Sequence, residues 1–386
     1  MRLNFKPIGN FIQRVEHRNR DLKVTRLLGL SMTKEFRETT SNVVGTNMSV
    51  YRVMSKYQFA CDFMSPIRVN KLPVVLKLDD EPNLVSPAYP VFEVKDRNEL
   101  DPEYLMMWFR RSEFDRYATF KCDAAIRGGY DWEELCETLI PIPHIDKQRE
   151  IVKEYNAIQN RIKLNEELIQ KLEETAQAIY REWFVEGIDM ENLPEGWRVG
   201  VLSDLASIKM GQSPKGESYN EIGEGIPLIN GPVEFGEYFT LKTKWTTEPK
   251  KFCKKGDLIF CVRGSTVGRN VIADDKYAIG RGVCAISSKY QFNVIQLIKT
   301  NINEILKDVT GSTFPNIDRV TLENFPIVLS SEGALHEFEK KTYPISRMIG
   351  IKSKENQKLA ELKALMLSRM ASVRIMNFKK LNENYD

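Results

Sequence analysis

Gly211 and Gly216 are separated by four residues in "KMGQSPKGESYN" and followed directly by Glu217 and Ser218. This spacing approaches the phosphate cradle G-x-x-x-x-G-K-[ST], whose Lys reaches the β- and γ-phosphates and whose hydroxyl holds magnesium. Here Glu217 occupies the Lys position and would repel phosphate, and Pro214 removes a backbone N–H from the cradle. A degenerate nucleotide hydrolase is therefore kept only as the enzyme-class alternative. Other catalytic patterns are missing from the sequence. There is no N-P-P-aromatic motif of an amino-methyltransferase, and "IRGGYDW" and "IGRGVCA" lack the G-x-G-x-x-G spacing of a dinucleotide site. The three histidines, His17, His144 and His336, are isolated, which disfavours a zinc site or a Ser-His-acid triad. The chain reads as a binder without a metal or cofactor of its own.

The side chains suited to binding lie in polar loops punctuated by glycine, of the kind that contacts phosphates and base edges. In the first half they are Arg18, Arg20 and Lys23 in "EHRNRDLKVTR", and Arg37, Thr39, Asn42 and Asn47 in "RETTSNVVGTNMS". Arg127 and Tyr130 in "AIRGGYDW" complete that set. In the second half they are Gln212, Ser213, Lys215, Ser218 and Asn220 of the opening stretch, then Arg263, Ser265 and Arg269 in "CVRGSTVGRN". Arg281 in "IGRGVCA" and Ser312 and Asn316 in "TGSTFPNID" follow. Net charge over the 386 residues is only +3, but it is unevenly spread. Met1 to Ala60 holds eleven Lys or Arg against four acids, and Lys242 to Gly282 ten against four. Two basic regions in a near-neutral chain suit a polyanion touched at two places.

An internal duplication supplies the elements that would position these loops. "LIPIPHIDKQREIVKEY" from Leu139 and "NFPIVLSSEGALHEFEK" from Asn324 both read as a strand end with proline feeding a long helix, so that Pro141 matches Pro326. "NEELIQKLEE" from Asn165 likewise matches "NQKLAELKAL" from Asn356, and "SKYQFACD" resembles "KKGDLIFCV". Each half is a mixed domain followed by a long helix. In the first helix Ile151, Tyr155, Ile158, Ile162, Asn165, Ile169, Leu172, Ala176, Ile179 and Trp183 alternate steps of four and three. This is the 3.5-residue repeat of a coiled-coil seam, with Asn165 placed to fix register, and a helix from Asp146 to Phe184 would be roughly 57 Å long. The second helix carries Phe338, Ile345, Ile349, Asn356, Leu359, Leu362, Met366 and Met370, with Pro344 expected to start or kink it and Lys352 and Lys363 near its seam. "GIDMENLPEGW" reads as a linker, and "WRVGVLSDLASI" as a strand and short helix or two strands.

The expected fold class is α+β, with domains at 1–145 and 187–332, long helices at 146–186 and 333–376, and a tail at 377–386. Antiparallel pairing of the helices would set the two copies at opposite ends of a pseudo-twofold arrangement. The six cysteines form no C-x-x-C pair and lie in apolar contexts, as buried free thiols do in a reducing compartment. No apolar run approaches membrane-spanning length, so a cytoplasmic location without membrane contact is expected.

"LPEGWRVGVLSDLASIKMGQSPKGESYNEIGEGIPLINGP" resembles the entry to a target-recognition domain of type I restriction-modification specificity subunits, and "GDLIFCVRGSTVGR" the strand and turn that follow it. "LEETAQAIYREWFVEGID" is similar to that family's central helix and the linker leaving it. "RNRDLKVTRLLGLSMTKEF" and "LVSPAYPVFEV" resemble a different sequence class of the same domain. The resemblance implies a non-catalytic subunit whose two recognition domains each read one half of a bipartite target in double-stranded DNA, with the paired helices as spacer. It implies docking of two modification subunits, which use S-adenosylmethionine, along the helices, including Trp183 and the stretch around Asn356. Restriction subunits, the translocases that use ATP and magnesium, would join them. A coiled-coil scaffold with protein-binding lobes is the non-enzymatic alternative.

Overall fold

The computed structural model describes residues 5–39, 45–124, 130–307 and 315–371. They form two compact units, one of residues 1–161 and 359–386, the other of residues 162–358.

Unit one is built on a four-stranded antiparallel sheet in the order Ile12–Val15, Val91–Val94, Gln58–Cys61, Val74–Leu76. Phe59 and Phe92 face each other across two of these strands and stack at 4.9 Å, and Phe109 meets both edge-on. Phe109 arrives on the helix Pro102–Phe109. Asp101 caps that helix by accepting from the N–H groups of Glu103 and Tyr104, and Pro102 opens its first turn. Helices Ser112–Ala124 and Trp132–Glu137 close the same core. Three two-stranded pairs frame it: Phe5–Pro7 with Leu139–Pro141, Leu28–Leu30 with Phe36–Glu38, and Arg52–Met54 with Asn83–Val85.

Unit two holds a four-stranded antiparallel sheet, Ser207–Met210, Val283–Ser287, Leu258–Cys261, Asn270–Ile272, and a five-stranded sheet in which Ile226–Ile229 runs parallel to Tyr277–Ile279. Helix Gln291–Thr300, buried along most of its length, packs under the first sheet. "WRVGVLSDLASI" is strand, helical turn and strand: Arg198–Val201, Leu202–Leu205, then Ser207–Met210. "SKYQFACD" and "KKGDLIFCV" hold the fully buried strands Gln58–Cys61 and Leu258–Cys261.

The first long helix spans Ile145–Phe184 and the second Glu332–Arg369. Pro344 lies inside the second helix and does not begin it. The expected end at 376 and the tail 377–386 fall outside the described residues. Leu362 is exposed, and Lys363, half-buried, takes the seam position beside it. The long aliphatic stem of Lys fills such a position while its amine reaches a polar partner. All six cysteines are free, and burial pushes the thiols of Cys253 and Cys284 up to about 12. No helix among the described residues is long and apolar enough to cross a membrane.

Candidate nucleic-acid interface

In unit two, backbone packing gathers five loops onto one surface. Gly211 N–H donates to Val283 O at 3.0 Å, Gln212 N–H to Ile279 O at 2.9 Å, and Gly280 N–H to Ile229 O at 2.7 Å. Val262 N–H donates to Gly282 O at 2.9 Å, Ile317 N–H to Val262 O at 3.0 Å, and Gly264 N–H to Pro315 O at 2.9 Å. The glycines are sterically required at this crossing. A Cβ on Gly211 would lie 2.1 Å from Gly280 O, and Cβ atoms on Gly280 and Gly282 would lie 2.0 and 2.2 Å from Asn230 oxygens. Ser213 ties the loops together: its hydroxyl donates to Asn230 Oδ1 at 3.2 Å and accepts from Arg281 N–H at 3.1 Å.

Asn230 is held from behind by Glu234, which is 2% exposed. One Glu234 oxygen accepts from the N–H groups of Asn230 and Gly231, both at 3.1 Å, and the other lies 3.7 Å from the Lys244 amine. This frame displays the exposed side chains of Gln212, Arg263, Ser265, Arg269 and Arg281, and that of Lys215 on the adjoining stretch. Arg263 is bridged through its backbone to half-buried Asn316. Among the described residues, Lys215, Arg263, Arg269 and Arg281 form no ion pair, so four cationic groups are left to meet an anionic partner.

Two expected contacts in this unit serve the fold instead. Ser218 is buried, and its hydroxyl bonds to Lys215 O and Thr246 Oγ1, both at 2.7 Å. Asn220 uses both ends of its amide on the backbone of Glu224, which fixes the 220–224 turn. The hydroxyl that a nucleotide site needs for magnesium is thus consumed internally. Ser312 lies outside the described residues.

In unit one, buried Asn19 holds the turn that carries Arg20 and Lys23: its amide donates to Val24 O at 2.8 Å and accepts from Val24 N–H at 3.2 Å. Arg20 and Lys23 are exposed, although Lys23 lies 3.3 Å from Asp21. Arg18 donates to Val50 O at 3.1 Å and lies 4.0 Å from Glu16. Arg37 is exposed on the hairpin Leu28–Leu30/Phe36–Glu38, its Nε donating to Leu30 O at 3.3 Å, and Thr39 follows it half-buried. The hairpin is pinned by Lys34, buried and with φ 63°, whose amine meets Phe109 O and, at 2.7 Å, Asp115. Burial pulls the Lys34 amine below its ordinary value, against the pull of Asp115. Asn47 accepts from Ser49 N–H at 3.0 Å and so shapes a turn.

Tyr130 departs from expectation. It is 2% exposed within the core, its ring 5.7 Å from Phe63 and its hydroxyl 3.1 Å from Thr138, and burial pushes its phenol upward. An aromatic ring seals apolar neighbours there, which leaves nothing for a ligand to touch. Asn42 and Arg127 lie outside the described residues. Asn19, Lys34, Asn230 and Glu234 were not singled out from the sequence. Only the Asn-Gly-Pro run at 230–232 carried a local signal, that of a turn.

Within unit one, Tyr155 is buried among Ile151, Ile158 and Met366, and Lys363 donates to Gln159 Oε1 at 2.8 Å beside half-buried Leu359. Within unit two, Ile162 and Asn165 are buried, and Ile169 and Ile349 pack with Leu172 and Ile345 against Tyr238. Asn165 Nδ2 donates to Asn356 Oδ1 at 2.8 Å, and Asn356 Nδ2 reaches Ile162 O at 3.4 Å. Trp183 is half-buried, 6.1 Å from Phe338, with the Lys341 amine 4.9 Å over its ring.

Residues 194–334 match the family model described as the type I restriction modification DNA specificity domain. A Methanocaldococcus jannaschii protein named as the MjaX specificity subunit of a type I restriction enzyme is 26% identical over 299 residues, covering 72% of this chain and 69% of that one. The type I restriction enzyme HindI specificity subunit of Haemophilus influenzae is 21% identical over 372 residues, covering 74% and 80%. Among solved structures, the S subunit of a type I restriction-modification system from M. genitalium shares the fold, with a TM-score of 0.56 at 14% identity over 95% of this chain and 96% of that chain. The matched domain falls within unit two, around the interlocked loops and their unpaired arginines. On these grounds residues 194–334 carry a type I restriction-modification DNA specificity domain, and the chain is similar over much of its length to specificity subunits of type I restriction enzymes.

Proposed function

We propose that this chain is the non-catalytic subunit that reads a bipartite DNA sequence and directs methyltransferase and restriction subunits to it. The observation that carries the reading is the loop frame of unit two, where glycine packing leaves Gln212, Arg263 and Arg281 exposed and the cations without ion pairs. Such a surface offers phosphate-neutralising and base-reading groups together. The loops around Arg20, Lys23 and Arg37 supply a second, smaller set in unit one. Residues 1–145 and 187–332 act as two target-recognition domains, one for each half of the target. Residues 146–186 and 333–376 act as spacer helices.

An antiparallel helix pair is supported by contacts within unit two. Asn165 meets Asn356, whereas Ile169 and Leu172, later in the first helix, pack with Ile345 and Ile349, earlier in the second. Leu164, Leu168, Met348 and Ile351 on the helix surfaces are large apolar side chains left exposed, as suits docking of the two modification subunits. Those subunits bring S-adenosylmethionine, and the restriction subunits ATP and magnesium. The same exposed side chains are what a protein-binding scaffold would show, and failure of the assembled complex to bind any DNA would favour that reading. Methylated-base mapping of the host with and without this chain tests the proposal. Loss of one bipartite motif is the expected result, and an unchanged methylome overturns it.

A further inference from the structure

Val233 is 79% exposed at the apex of the turn Pro232–Glu234, directly after the strand Ile226–Ile229. A single exposed aliphatic side chain ordinarily needs no explanation. This one is displayed by a turn that is unusually well determined. Buried Glu234 binds the N–H groups of Asn230 and Gly231 and also accepts Leu241 N–H through its own carbonyl, at 2.8 Å. Proline fixes the residue before Val233, and the β-branched valine has few rotamers of its own. The turn is also seated in the basic loop frame. A Cβ on Gly282 would lie 3.9 Å from Gly231 Cα, and Ser213 links Asn230 to the Arg281 backbone.

Ile222 provides the contrast. It is equally exposed, at 84%, but it sits on the turn held by Asn220, between Glu221 and Glu224, whose carboxylates would repel a polyanion. The acid next to Val233 in sequence, Glu234, has its side chain buried and engaged by the Asn230 and Gly231 N–H groups and Lys244.

We propose that Val233 is a specificity-determining residue that contacts the C5-methyl group of a thymine in the half-site read by unit two. This rests on the DNA-reading function proposed above. The major groove presents that methyl as its one apolar feature, and a rigid aliphatic side chain among cationic neighbours is suited to find it. Contact with one methyl is worth about four-fold in affinity.

The test uses the full chain assembled with its methyltransferase subunits and duplexes bearing the mapped target, with each thymine replaced in turn by deoxyuridine. Wild type should lose about four-fold in affinity at one thymine of one half-site. Val233→Ala should bind thymine and uracil equally there and leave the other half-site unchanged. Being exposed, the side chain can be shortened without disturbing the fold, which the melting temperature verifies. A half-site free of A·T pairs, or a Val233→Ala variant that still tells thymine from uracil as wild type does, overturns the assignment while leaving the subunit's function intact. A wild-type complex without sequence preference overturns the function itself, and the assignment with it.

Discussion

Asn165 and Asn356 face each other as a buried amide pair, with Nδ2 of the first 2.8 Å from Oδ1 of the second. Two aliphatic side chains would pack here without polar cost, so the pair trades stability for a single allowed register. Asn165→Ala should lower stability by about 1–3 kcal/mol, because Asn356 keeps its desolvation cost after losing its partner. The Leu/Leu double variant should recover most of that loss. A double-mutant cycle from denaturant melts measures the coupling, and strictly additive single effects would refute it.

The exposed arginines of unit two should act on one half-site alone. Arg263→Ala is expected to weaken DNA binding and to reduce the slope of log affinity against log salt by about 1 if it neutralises one phosphate. Gln212→Ala should relax base preference with little change in that slope. Titrations with each half-site scrambled in turn check both, and equal losses at the two halves would argue against independent modules.

Leu164 and Ile351 remain 59% and 48% exposed on the long helices. Replacing each with Lys should reduce association with modification subunits at least ten-fold, as for anchors at an interface, while changing the melting free energy by no more than about 0.5 kcal/mol. Co-purification and melting of the same variants separate these effects.

Glu339 supplies a pH signature. Its carboxylate accepts from Asn293 N–H at 2.8 Å, in the first turn of helix Gln291–Thr300. Burial raises its pKa, opposed only in part by the N–H groups of Asn293 and Phe292. A raised folded pKa means that the stabilising contribution is fully present below the ordinary carboxylate value and is lost as pH rises through the folded value. Glu339→Gln should therefore melt higher than wild type at neutral pH, with the gap closing in acid. A gap that widened on acidification would show the carboxylate, rather than the acid, to be the favoured form.

The first helix was legible in the sequence because its 3.5-residue pattern from Ile151 to Trp183 is local and repeated. The second was less so: Lys363, not Leu362, occupies the seam, a choice made by Gln159 on the other helix and hidden from any local count. The stretch from Gly211 to Asn220 reads locally as a turn, and it holds the short helical turn Gly216–Ser218 after the strand Ser207–Met210. The burial of Ser218 depends on Thr246, and that of Tyr130 on Phe63 and Thr138, partners that composition and local spacing do not disclose. Glu234 was invisible for a related reason, since an acid in a loop normally reads as solvated and only the backbone of Asn230 and Gly231 gives it a buried role.

The crossing of Gly211 on Gly280, and of Gly280 and Gly282 on Asn230, bears on how a chain with the proposed DNA-reading function would change its target over generations. Because no Cβ fits at three points of contact between separate loops, none of these loops can be exchanged or lengthened alone without displacing the others. New preferences must then come from the exposed tips, one side chain at a time, or by inheritance of the whole block as a cassette. A graft carrying 211–213, 230–234 and 280–282 together is the smallest transfer that preserves this crossing.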